Sequence, residues 1–205
     1  QSLSNGTNNI TVNTTDGSAI VVAIPSNNAG GNSVTSVSYQ GMAGRLIKAQ
    51  TSTYNEVEGE LWLITGFVPA ASGTLTVTVT RPAGIMLALA IVLSATADDY
   101  ASASIVEEYS GGDSYAMSQA VNSMLDCITI GLHVSDTGDL ATSGSNQTRI
   151  DSGTGTSFAY GCDYKAGASP TQTMSFTRDG PYSAVLIVAS FTVLGAVFSC
   201  PGIIG

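Results

Sequence analysis

The sequence predicts an all-β protein, an antiparallel jelly-roll-like β-sandwich with extended terminal segments. Three observations carry this reading. Residues 74–80 alternate Thr with Leu75, Val77 and Val79, a period of two that places the apolar side chains on one face of a strand. Turn signals recur at short intervals, at Asp16-Gly17, Pro25, Gly41 and Gly73. Charged residues make up only 10% of the 205 residues while 43% are hydrophobic, so the chain has apolar material for a large core.

The elements follow in order. Residues 1–14 form a polar, Asn/Ser-rich arm in which Ile10 and Val12 begin a period-2 pattern; the arm is a candidate exchanged strand. Residues 15–195 form the sandwich and residues 196–205 an apolar tail. Residues 19–24 read as a strand apolar on both faces, closed by Pro25, and residues 34–39 as the next. Leu46 and Ile47 begin another strand, and residues 61–64 a further one. Residues 85–93 are apolar on both parities, which predicts a central buried strand. Residues 114–124 read as a short helical turn or an irregular loop. Ile128, Ile130, Leu132 and Val134 alternate with Cys127, Thr129, Gly131 and His133. A Gly/Ser/Thr-rich loop over 135–145 leads to strands at 158–164, 171–177 and 182–192, giving about nine to eleven strands in two packed sheets. The expected core includes Leu75, Val77, Val79, Leu89, Ile91, Ile130, Leu132 and Leu186. The apolar run 184–198 is interrupted by Ser190, Thr192 and Gly195 and lacks flanking Lys or Arg. It falls short of the ~20 residues a spanning helix needs, so it reads as a strand rather than a membrane span.

Six Lys+Arg stand against fifteen Asp+Glu, a net charge of −9, which disfavours nucleic acid and anionic membranes as partners. The chain opens at Gln1 without Met, which with the composition points to a removed leader and an extracellular or cell-surface location. Of the three cysteines, Cys127, Cys162 and Cys200, none lies in a CxxC motif, so one disulfide is expected and zinc is not. The pairing stays open. Cys162–Cys200 is the first choice because it would pin the tail, with roughly 2–4 kcal/mol of stabilisation.

No arrangement of residues announces catalysis. His133, the only histidine, lies on the strand face opposite Ile130 and Leu132, and no GxSxG elbow accompanies it; the reading is a non-enzyme without a cofactor. Asp98, Asp99, Glu107 and Glu108 are the densest carboxylates and weak Ca²⁺ candidates, since no EF-hand spacing supports them; a solvated loop is the simpler account. Tyr54, Tyr100, Tyr109 and Tyr115 raise carbohydrate binding, whereas Trp62, between Leu61 and Leu63, belongs in or near the core. Asn5, Asn9, Asn13 and Asn146 stand in Asn-x-Ser/Thr sequons, and the first three share the parity opposite Ile10 and Val12.

The run Val34-Thr-Ser-Val-Ser-Tyr-Gln-Gly41 resembles the "SVTYGG" strand-turn of a group of uncharacterised bacterial secreted and phage structural β domains. The strand Glu60-Leu-Trp-Leu-Ile64, the turn and alternating strand from Pro69 through Gly73 to Thr80, and the strand from Tyr182 to Phe191 continue the likeness. The resemblance implies a jelly-roll-like sandwich displayed outside the cell or on a virion, and it implies no chemistry. The arm and the tail depart from that pattern and look similar to the terminal additions of pilus-like filament subunits. The expected function is a structural subunit that polymerises with itself by β-strand addition, through Ile10 and Val12 of the arm or Val197, Phe198, Ile203 and Ile204 of the tail. A carbohydrate-binding surface module, with glycans as partner, and a phage or virus coat or decoration protein are the alternatives.

Overall fold

The computed structural model describes residues 1–14, 19–27, 34–52, 57–67, 71–80, 85–95, 104–105, 115–136, 140–154, 158–178 and 183–198. Its strands in the amino-terminal half are β1 (Gly6–Val12), β2 (Ala19–Ser26), β3 (Val34–Tyr39), β4 (Met42–Ala43), β5 (Arg45–Thr51), β6 (Glu58–Thr65), β7 (Gly73–Val79) and β8 (Leu89–Ala95). After the short β9 (Ser104–Ile105) come β10 (Tyr115–Asn122), β11 (Cys127–Ser135), β12 (Thr142–Ser143), β13 (Thr148–Thr154), β14 (Ala159–Ala166), β15 (Thr171–Arg178) and β16 (Ala184–Phe198). The protein is all-β and its sheets are antiparallel, in a sandwich-like arrangement.

The same wiring occurs twice. In the first half β1-β7-β3-β4 form an outer sheet, and β5-β6-β2-β8 are neighbours in the long nine-stranded sheet. In the second half β10-β15-β12 form an outer sheet, and β13-β14-β11-β16 are neighbours in that same long sheet. Apart from β3–β4, each pairing of the first half therefore has its counterpart in the second, with β1, β2, β3, β5, β6, β7 and β8 matching β10, β11, β12, β13, β14, β15 and β16. The matched strands β8 and β16 pair with each other and join the halves.

The register extends the match to single residues. Ala23 lies between Leu61 and Leu89; Leu132 lies between Cys162 and Ile187. All six residues belong to one apolar cluster contributed by β2, β6, β8, β11, β14 and β16, so the inner faces of the two halves pack on each other. One close approach is at Gly59, where a β-carbon would lie 3.1 Å from Ile187 Cδ1 and 3.4 Å from Leu132 Cδ2. No larger side chain fits there without displacing those neighbours. The opposite faces of β2, β6 and β8 pack on the first outer sheet through Ile20, Val22, Ile24, Trp62, Leu75 and Val77. Those of β11 and β16 pack on the second through Met117, Met174, Phe176 and Leu186.

Local sequence explains the elements. β7 is the Thr/Val alternation, and Leu75, Val77 and Val79 are buried as its parity requires. β3 turns into β4 at Gln40 and Gly41, with φ of 48° and 83°, a left-handed pair that glycine tolerates and that suits a tight hairpin. β2 and β11 are sandwiched between layers and are buried along their whole length.

Several expectations change. Within the region 114–124, Tyr115–Asn122 form a strand, not a helical turn or loop: Met117 and Val121 are buried and β10 pairs along its length with β15. β12 and β13 appear where the sequence suggests a loop and no strand. The strand expected over 85–93 begins at Leu89; Met86 makes only an isolated bridge and Ile85 is 43% exposed. Two packed sheets become two outer sheets around a long sheet folded on itself. The expected core residues are all buried. These strand orders do not establish a jelly-roll connectivity. No helix among the described residues is long and apolar enough to cross a membrane, and the run 184–198 is the strand β16.

Candidate functional site

The amino-terminal arm is docked on its own chain. β1 stands at one edge of the first outer sheet and pairs with β7 from Gly6↔Val79 to Val12↔Gly73. Ahead of it, the Gln1 amino group donates to the Ala88 carbonyl at 3.0 Å, and the Leu3 amide donates to the Met86 carbonyl at 2.8 Å. Its apolar anchors are few: Val12 is buried, and Ile10 and Leu3 are half-buried. Asn5, Asn9 and Asn13 are all exposed. Asn9 accepts a 3.0 Å hydrogen bond from Thr76 Oγ1 of β7. Asn146 is also exposed, in a turn with φ of 59° ahead of β13. Val197 and Phe198 lie on the backbone of β16, whereas Ile203 and Ile204 fall outside the described residues.

Two carboxylates lie inside the first sandwich. Glu58 and Glu60 are only 2% and 1% exposed, on the face of β6 that carries Trp62 toward the outer sheet. Carboxylates are almost never buried so fully without compensation. The Trp62 indole Nε1–H donates to Glu60 Oε2 at 2.6 Å. Burial pushes the Glu60 carboxyl up to about 8, and the nearby Glu58 charge adds to the rise; the hydrogen bonds from Trp62 and the Val34 backbone oppose it. Directly across from Glu58 stands Ser26, 2% exposed, whose hydroxyl has no hydrogen-bond partner.

The second half holds a different polar group in the matching layer. Trp62 pairs with Val22 on β2, and the equivalent position on β14 is Asp163, paired with Gly131. Asp163 is fully buried; it accepts hydrogen bonds from Arg149 Nε in an ion pair and from Gln147 Nε2 at 3.0 Å. Arg149 also donates to the Ala141 carbonyl and to Ser143 Oγ, and its guanidinium lies 6.0 Å from the Phe176 ring centroid. His133 stacks on the same Phe176 ring, with 5.4 Å between centroids, and is 1% exposed. It occupies the second face of β11, as its parity indicates, and that face is covered by β15 rather than by water. Tyr160 donates to Asp151 at 2.8 Å, and burial together with that carboxylate pushes its phenol upward. These contacts brace β13, β14 and β15 against one another.

Cys127 and Cys162 are buried thiols, and Cys200 lies outside the described residues, as do Asp98, Asp99, Glu107, Glu108, Tyr54, Tyr100 and Tyr109. Tyr115 is described only as part of the β10 backbone. Trp62 is 7% exposed and belongs to the core. Among the described residues no three His, Cys, Asp or Glu side chains come together. Sequence reasoning missed Glu58, Glu60 and Asp163 because an isolated acidic residue in a strand reads as a solvent-facing position. The one available signal was parity, which places Glu60 and Trp62 on the same side. Comparison with protein-family models, with curated proteins and with solved structures gives no match.

Proposed function

We propose that the protein is a non-catalytic structural subunit of an extracellular, pilus-like filament, a homopolymer joined by β-strand addition through β1. One observation carries the reading. β1 is an edge strand held mainly by backbone pairing to β7, with Ile10 and Val12 as its own apolar anchors. The same pairing can be made by β1 of a neighbour with no new interface chemistry, which is how exchanged elements join identical subunits. Sequons at exposed Asn5, Asn9 and Asn13 on this edge support an extracellular glycoprotein. The apolar tail with Val197 and Phe198 is the second donor considered. Electron microscopy of negatively stained material tests the reading: the full chain forms filaments, and a chain lacking residues 1–12 stays folded but does not. A full chain that remains as single particles at high concentration overturns it.

A second reading, a carbohydrate-binding surface module, is favoured by the outer sheet faces. In register across the first lie Thr7, Thr78 and Ser36, then Asn9, Thr76 and Ser38. Across the second lie Ser118 with Ser175 and Asn122 with Thr171. Hydroxyls and amides without charge at these positions suit hydrogen bonding to a neutral glycan, and binding to polysaccharide by a monomer would select this reading.

A further inference from the structure

We propose that one end of the first sandwich binds a single hard divalent cation, with Ca²⁺ the best fit, through Glu58, Glu60 and the hydroxyl of Ser26. The register sets these side chains on one face of the sheet. Glu58 pairs with Ser26 on β2 and with Thr51 on β5, so the three side chains form one row on one face of the sheet. Glu60 is two residues along the same strand and therefore on the same face.

The buried hydroxyl points to a ligand independently of the acids. Ser26 is 2% exposed, is paired with Glu58 across the strands and has no hydrogen-bond partner for its hydroxyl, an unusual state for a buried polar group. The Trp62 indole and the Val34 backbone, which donate to Glu60, are neutral and supply no countercharge. A divalent cation between Glu58 and Glu60 would balance two carboxylates and use the Ser26 lone pairs at once. The donor set is all oxygen, which selects a hard ion over zinc or copper. Ca²⁺ accepts irregular oxygen cages at about 2.3–2.6 Å, whereas Mg²⁺ demands near-octahedral geometry and retains its water. Thr51 is half-buried on the edge strand β5, which gives the ion a route in from solvent. Among the described residues, the side chains in register with Glu60, Ile24 on β2 and Ala49 on β5, and Met86 beside Ser26 carry no charge.

The test uses the full chain, stripped with chelator and then titrated with CaCl₂ or MgCl₂. Calorimetry should give one Ca²⁺ per chain, and saturating Ca²⁺ should raise Tm by about 5–10 °C. Glu58→Gln and Glu60→Gln should each weaken Ca²⁺ binding at least tenfold, and Ser26→Ala should weaken it less. Both Gln variants should match or exceed the stripped wild type in Tm, so that a lost response is not lost folding. A variant neutralised at Asp98, Asp99, Glu107 and Glu108 should keep the response. The proposal is overturned if neither ion shifts Tm or releases heat, or if the response survives the double change Glu58→Gln, Glu60→Gln.

Discussion

Trp62 Nε1 donates to Glu60 Oε2 across 2.6 Å inside the first sandwich, between the sheet that holds β6 and the outer sheet that holds β7. The bond favours the anion, but the anion loses more from the missing water than the bond returns. That difference sets the pH dependence of the fold.

In chelator-treated protein, stability should fall as pH rises. The folded Glu60 carboxyl, pushed to about 8 from 4.5, binds its proton more tightly than the unfolded one. Its contribution is fully present below 4.5 and is lost progressively as pH rises through about 8. The full loss, reached above the folded value, should be on the order of 5 kcal/mol. Urea unfolding at a series of pH values should show this slope in the wild type and a flatter one in Glu60→Gln. An equal slope in both would remove Glu60 as the cause.

The Arg149–Asp163 pair should be costly to break from one side. Asp163 is fully buried, and Arg149 is its ion-pair partner. Arg149→Ala leaves a buried charge served only by Gln147 and should destabilise by about 3 kcal/mol in chemical unfolding. A loss below about 1 kcal/mol would mean that the carboxylate does not depend on Arg149 for its compensation.

Gly59 reports on the packing of the two halves. Gly59→Leu would drive side-chain atoms into Ile187, Leu132 and Val134 and should destabilise by about 1–3 kcal/mol. Gly59→Ala, with one carbon at the contact distance, should cost less. If Gly59→Leu is neutral by thermal unfolding, the inner faces do not meet as described.

The fold was readable where β-branched residues alternate strictly or run apolar on both faces. β7 shows Thr outside and Val inside, so periodicity sufficed. β10 alternates as well, but its outward Ala116, Ser118 and Ala120 are poor strand formers, and its pairing with β15 is what makes it a strand. β13 is carried by pairing to β14 across a bulge between Arg149 and Asp151, which breaks the period of two. The twofold wiring is not legible in residue identity, because matched positions share at most their apolarity, as Leu89 and Ile187 do, and some differ outright, as Trp62 and Asp163 do. The buried polar groups were hidden for a related reason, since burial of Glu60 depends on sheets brought together from distant sequence.

The most direct test of assembly through β1 is a disulfide trap at Asn9 and Thr76, whose side chains touch at 3.0 Å across the β1–β7 pair. Asn9→Cys with Thr76→Cys is assembled, oxidised and run on a denaturing gel without reductant, beside the unsubstituted chain. Exchange of β1 between subunits predicts a ladder of covalent multimers that collapses to one band with reductant and is absent from the unsubstituted chain. A single monomer band, with the two introduced thiols bonded to each other within one chain, from material that had visibly polymerised would contradict it, because β1 would then have remained on its own β7 throughout.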